Sequence, residues 1–118
     1  MSETTRPVTI SAEAFAKLRS VSTATLTHQL AKRGLRNTFL TGVTPLRPEL
    51  RMVGYAFTLR YLPLREDLAD TLYDNKTNVQ RIAVESIAQD DVLVIDARGD
   101  IRAATLGNIL ATRLKVRG

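Results

Sequence analysis

Apolar positions near the start of the chain recur at helical spacing and predict two short helices. The first begins after Ser11, a residue type that caps helices, and runs to about Arg19. The second begins at Ser22 or Thr23 and ends at Gly34, a residue type that favours helix termination. Their apolar faces consist of Ala14, Phe15, Leu18, Leu26 and Leu30.

The pattern then changes to alternating strands and helices. Residues Met52–Tyr61 are apolar, aromatic and β-branched, which is typical of a strand, and Gly54 within them indicates a bulge or a close backbone approach. Asn78 starts a further helical pattern, and Val92–Ile95 predicts a second strand. The face expected to be apolar on that helix comprises Val79, Ile82, Ala83 and Ile87. This alternation predicts an α/β domain with a mixed sheet.

The last part of the chain has the pattern of a ligand-binding unit. The strand Val92–Ile95 runs into a polar turn, Asp96–Asp100, and a glycine, Gly107, precedes a last helix that extends toward Gly118. Open α/β sheets bind ligands at the carboxyl ends of their strands, where this turn lies. Asp96, Arg98 and Asp100 are therefore candidate site residues, although the same charges also suit surface ion pairs and turn caps.

The start of the last helix is a second candidate, comprising Gly107, Asn108, Ile109 and Leu110. The first turn of a helix presents unpaired N–H groups and a partial positive charge, which together suit a carboxylate or a phosphate. Gly107 would allow a ligand to approach the backbone closely. The alternative is that Gly107 only relieves a packing clash between helix and sheet. The spacing matches no dinucleotide or Walker motif.

Composition narrows the classes of protein that remain. The 118 residues suffice for one domain, and the absence of cysteine excludes disulfides and thiolate metal sites. No apolar run approaches the ~20 residues that span a bilayer, and the N-terminus lacks the apolar segment of a signal peptide. We therefore expect a cytoplasmic protein without membrane contact.

The net charge of +5 does not by itself indicate nucleic-acid binding. Thirteen arginines and four lysines are scattered along the chain, with three phenylalanines and three tyrosines available for base stacking. A nucleic-acid surface usually shows a basic patch with aromatic platforms. We expect no direct nucleic-acid partner.

An acidic cluster and a single histidine are further candidates for a chemical role. Glu66, Asp67, Asp70 and Asp74 could bind a divalent cation through oxygen ligands, but such clusters are more often a solvated face. His28 is the only histidine and has no obvious acidic partner, so a structural or exposed role is favoured over catalysis. The sequence predicts no metal ligands.

The last part of the chain resembles the RraA-like family. Four segments carry this resemblance: Val92–Asp100, Ala103–Ala104, Leu106–Thr112 and Arg117–Gly118. Earlier segments fit as well, namely Leu26–Gly34, Gly42–Leu46 and Met52–Leu59, so that the resemblance extends from about residue 11. This family includes the regulator of ribonuclease E activity and the class II 4-hydroxy-4-methyl-2-oxoglutarate aldolases. It implies a swivelling β/β/α domain that assembles into trimers or hexamers.

The resemblance also implies a site. In the aldolases a 2-oxo acid such as pyruvate lies between subunits, and backbone amides matching Gly107–Leu110 hold its carboxylate. An arginine–aspartate pair further along the chain clamps the substrate and supplies a ligand to Mg²⁺ or Mn²⁺, which stabilises the enolate. Here the chain ends at Gly118 before such a pair, and Asn108 stands where the aldolases are often acidic.

These departures lead us to expect a C-terminally truncated member. Residues 1–10 would form a flexible lead, and residues 11–118 the N-terminal portion of one domain incomplete at its C-terminus. The family's Mg²⁺ or Mn²⁺ would not be bound by this chain alone. Three functions stay open: a lyase of aldolase or decarboxylase type acting on 2-oxo acids, a non-catalytic regulator that binds ribonuclease E, and an inactive fragment.

Overall fold

The computed structural model describes residues 8–71 and 74–118, which divide into two compact units. The first unit is Met1–Val53 and the second is Gly54–Gly118. Residues 1–7 of the lead expected at residues 1–10 lie outside the described residues. No helix among the described residues reaches the length and hydrophobicity that crossing a membrane requires.

The first unit contains the two predicted helices, α1 (Ala12–Ser20) and α2 (Thr23–Lys32). The Ser11 hydroxyl accepts a hydrogen bond from the Ala14 N–H at 3.2 Å, and the Ser22 hydroxyl accepts one from the Thr25 N–H at 3.1 Å. Each cap satisfies a backbone donor that the first helical turn leaves unpaired. Both predicted helices are confirmed, with Ser22 as the cap of α2.

The second unit is built around a parallel pair of strands, β1 (Tyr55–Arg60) and β2 (Asp91–Asp96). The register places Tyr55 opposite Asp91 and Arg60 opposite Asp96, so both strands end together. Along the chain, β1 is followed by a 3₁₀ helix (Glu66–Thr71) and by α3 (Val79–Ser86), and β2 is followed by α4 (Asn108–Arg117). The two described strands are parallel, and the helical crossover between them is the connection that parallel strands require. The expectation of a mixed sheet is therefore wrong for these residues.

Gly54 is placed immediately before β1, where the backbone passes close to the neighbouring strand. A side chain at this position would collide with the Asp90 carbonyl oxygen and with Cγ2 of Val92. The close approach predicted for Gly54 is therefore confirmed. The predicted strand Met52–Tyr61 is longer than β1, because pairing with the second strand begins only at Tyr55.

The core of the second unit is small and lies on α3 and at Ile87, the residue that caps its C-terminus. Ala83, Val84 and Ile87 are the buried hydrophobic residues of the described chain. The predicted apolar face of this helix is only partly right, because Val79 and Ile82 are 56% and 45% exposed. α3 also packs against α4, since Arg113 forms two 2.8 Å hydrogen bonds with the Glu85 carboxylate.

Candidate functional site

A cavity of about 550 Å³ lies in the second unit, beside the carboxyl ends of β1 and β2. Its lining comes from three segments: Tyr61–Leu64 directly after β1, Gln80 on α3, and residues between Ala97 and Thr105 after β2. Because parallel strands end at the same edge, the segments that follow them are brought together. The cavity therefore occupies the position at which open α/β sheets bind ligands.

The segment after β2 turns sharply at two residues with left-handed backbone. Arg98 has φ 56° and Gly99 has φ 74°, and the Asp100 N–H donates to the Ala97 carbonyl at 3.0 Å. Glycine tolerates this conformation, whereas arginine is strained in it. The Asp96 carboxylate supports the turn by accepting a 2.8 Å hydrogen bond from the Arg98 N–H.

The Asp96 carboxylate also joins the ends of the two strands. It accepts a 2.9 Å hydrogen bond from Arg60 Nε, at the last residue of β1. The Arg98 N–H and then the Arg60 guanidinium hold the pKa of Asp96 below its usual range. Asp96 is therefore ionised and already engaged, which suits a supporting role better than direct ligand contact.

Arg98 lines the cavity and is the cation there that is available to a ligand. Within the described part of the chain, its guanidinium donates no hydrogen bond and forms no ion pair, although its charge contributes to lowering the pKa of Asp96. Arg102, the other arginine of the lining, donates from Nε and Nη2 to the carboxylate of Asp100. That pairing lowers the pKa of Asp100 and raises that of Arg102.

Two side chains from outside the turn hold the far end of the loop. The Tyr61 hydroxyl donates to the Thr105 carbonyl at 3.2 Å, and the Gln80 side-chain amide donates to the same oxygen. Partial burial raises the pKa of Tyr61, and its contact with Gln80 opposes this in part. The loop between Arg98 and Thr105 is therefore fixed at both ends, by Asp96 and by this pair.

The start of α4 follows Thr105 by three residues. Gly107 is the N-cap and provides no side-chain hydrogen bond to the first turn, so the N–H groups of Asn108, Ile109 and Leu110 have no cap. A Cβ built on Gly107 would meet nothing within 4 Å among the described residues. The clash-relief explanation for this glycine therefore finds no support, and the approach to the helix start is open.

The structure thus places the predicted site residues in two groups. Arg98 and Asp100 line the cavity, and Asp96 lies behind them at the strand ends. Gly107–Leu110 form the first turn of α4 and are not part of the cavity lining. Tyr61, Gln80 and Arg102 were not among the site residues predicted from the sequence. Tyr61 is the last residue of the predicted strand Met52–Tyr61, so the strand-end rule that identified Arg98 could also have pointed to it.

The remaining candidates do not assemble into a site in the described residues. Asp67 pairs with Arg65 at 2.7 Å, which lowers the pKa of Asp67, and Asp74 caps a turn by accepting the Lys76 N–H at 2.9 Å. The side chain of Asp70 lies outside the described set. His28 is exposed on α2. No group of three or more metal-ligating side chains occurs among the described residues.

Comparisons with known proteins agree on one family. The family model described as RraA-like (Aldolase/RraA) matches residues 23–118. The chain is also similar to a crystal structure of RraAS2 from Streptomyces coelicolor, described as an unusual member of the RNase ES inhibitor RraA protein family, with a TM-score of 0.72 and 30% sequence identity. That match covers 92% of this chain and 50% of the other, so the chain spans about half the length of the structure it matches. No curated protein sequence matches the chain.

Proposed function

This chain belongs to the RraA-like family, and we propose that it provides the acid-binding part of an aldolase- or decarboxylase-type lyase site for small 2-oxo acids. The observation that carries the proposal is the cavity at the carboxyl edge of the parallel strands, with the Arg98 guanidinium in its lining. A guanidinium forms strong, charge-assisted hydrogen bonds with a carboxylate. Arg98 is proposed to bind the carboxylate of the substrate.

Strain at Arg98 supports this role. A left-handed arginine in a turn costs about 1–2 kcal/mol relative to glycine, and such strain concentrates at functional sites. The turn of Asp96–Asp100 holds Arg98 in this conformation by two hydrogen bonds, from the Arg98 N–H to Asp96 and from the Asp100 N–H to Ala97. A residue that is strained and also lines a cavity is better explained by ligand binding than by stability.

The first turn of α4 supplies a second source of positive potential near the end of this loop. Its uncapped N–H groups at Asn108, Ile109 and Leu110 are of the kind that bind carboxylates, and Gly107 leaves them accessible. In the proposal they assist Arg98 in orienting the acid. Asn108 can donate a hydrogen bond from its side chain but adds no charge.

The family's Mg²⁺ or Mn²⁺ does not fit the described residues. The carboxylates at this edge are engaged by cations, Asp96 by Arg60 and Asp100 by Arg102. A divalent cation needs several free oxygen ligands, and displacing a guanidinium from each carboxylate would be required to supply them. We therefore assign to this chain the binding and orientation of the acid, and no step that passes through a metal ion.

Isothermal titration calorimetry with pyruvate tests the proposal. Arg98→Gln should weaken binding by about tenfold or more, because a hydrogen bond to a charged group contributes about 1.5–3 kcal/mol. Arg81→Gln is the matched control, since Arg81 is exposed on α3 and outside the cavity lining. Absence of saturable binding, or equal weakening by both substitutions, would contradict the proposal.

A second candidate function is inhibition of an RNase E-type ribonuclease. It is favoured by the 30% identity over 92% of this chain to a member of an RNase ES inhibitor family. Cleavage of a fluorescent RNA by RNase E should slow when micromolar protein is added. The RNA should show no change in fluorescence anisotropy with the protein alone, because we expect contact with the enzyme and not with the RNA. Unchanged cleavage would remove this candidate.

A further inference from the structure

The cavity beside Arg98 has an apolar wall as well as a cationic one. Leu62, Pro63 and Leu64 contribute to its lining, and so do the small side chains of Ala97, Ala103 and Ala104. Leu62 is 70% exposed and Leu64 is 60% exposed, so both present apolar surface that a bound molecule could cover. Removing such surface from water is favourable in proportion to its area.

The cavity is also large for the simplest 2-oxo acid. Its volume of about 550 Å³ lies within the range of about 300–1,000 Å³ that is typical of sites for drug-sized ligands. Pyruvate bound at Arg98 would leave most of that space filled by water. An acid with a longer apolar substituent would occupy more of it.

The residue that precedes the apolar wall is anchored to the rest of the second unit. Tyr61 is anchored to the Thr105 carbonyl, and Leu62–Leu64 follow it directly along the chain. Pro63 has a fixed φ, which restricts the backbone between the two leucines. The apolar wall and the Thr105 end of the Arg98 loop are therefore joined through Tyr61.

We propose that this cavity selects 2-oxo acids that carry an apolar substituent larger than the methyl group of pyruvate. The carboxylate lies at Arg98 and the substituent lies against Leu62 and Leu64. The inference rests on the proposed binding of 2-oxo acids at this cavity, and it adds the class of acid that is preferred.

Competitive titration of pyruvate and 4-methyl-2-oxopentanoate tests the preference. The branched acid should bind about tenfold tighter, since each buried CH₂ contributes about 0.8 kcal/mol and the cavity is only partly enclosed. Leu64→Asn should reduce this ratio to about two- or threefold. Leu68→Asn is the control, because Leu68 is a leucine of similar exposure, 64%, outside the cavity lining.

The outcomes separate the two proposals. Binding of pyruvate with no preference for the branched acid would overturn the apolar-wall inference and leave the proposed function intact. Binding of neither acid would overturn both. Sedimentation velocity of Leu64→Asn completes the test: loss of self-association together with an unchanged acid preference would show that the leucines contact a second copy, and would overturn the inference.

Discussion

At the scale of single residues, Arg98 is the residue on which the proposed acid binding depends most. Among residues 8–71 and 74–118 it is one of three non-glycine residues with positive φ, and the other two are Asn37 and Asp90. Asparagine and aspartate enter the left-handed region more readily, because their short polar side chains can hydrogen-bond locally. Within the part of the chain that the structure describes, the side chain of Arg98 makes no such local hydrogen bond. Its left-handed conformation is stabilised by the hydrogen bond from its N–H to the Asp96 carboxylate. In our proposal, the remaining strain is offset when an acid binds.

Arg98→Gly should separate stability from binding. Glycine adopts the observed φ of 56° without strain, so the free energy of unfolding should rise by up to about 1 kcal/mol while pyruvate binding is lost. Urea denaturation and titration measure the two effects. Arg98→Gln serves as the control, because it removes the charge and keeps the strain, and should leave stability within about 0.5 kcal/mol. A less stable glycine variant would contradict the account.

At the scale of elements, the helix starts that were predicted correctly are determined by residues close together in the sequence. Ser11, Ser22 and Asn78 each cap a helix through a side-chain bond to a backbone N–H three residues away, so the signal is local. The burial of Val84 instead of Val79 depends on what packs against α3 and was not predicted. Tyr61 and Gln80 were missed as site residues for the same reason, since both reach Thr105 across long stretches of chain.

The strand ends should make stability sensitive to acid. The pKa of Asp96 is lowered in the folded state, so its contribution is fully present above the unfolded value of about 4 and is lost as pH falls through the folded value. The unfolding free energy should therefore decline below about pH 4. Asp96→Asn should flatten part of that decline, as urea unfolding across a pH series can measure. An unchanged pH dependence in the variant would contradict this role.

At the scale of the whole molecule, little of the described chain is buried. The buried hydrophobic set is confined to Ala83, Val84 and Ile87, and no described residue of the first unit is buried. Large apolar side chains of the first unit are exposed, among them Leu35, Phe39, Leu40, Val43, Leu46, Leu50 and Met52. The two-stranded sheet also leaves strand edges unpaired within the described residues. Both features favour association.

We therefore expect this chain to self-associate or to unfold with low cooperativity. Sedimentation velocity at micromolar concentration should show species larger than a monomer of 13.1 kDa. Differential scanning calorimetry should show a broad transition that depends on protein concentration. A monomer with a sharp, concentration-independent transition would contradict the expectation.

The central claim is that an acid binds at the carboxyl edge of the parallel strands. Amide chemical shifts, recorded by NMR during titration with pyruvate, test it most directly because they locate the ligand along the chain. The account predicts saturable shifts in residues 97–110, including the N–H groups of Asn108–Leu110, that disappear in Arg98→Gln. Shifts confined to α1 and α2, or no saturable shifts at all, would contradict it.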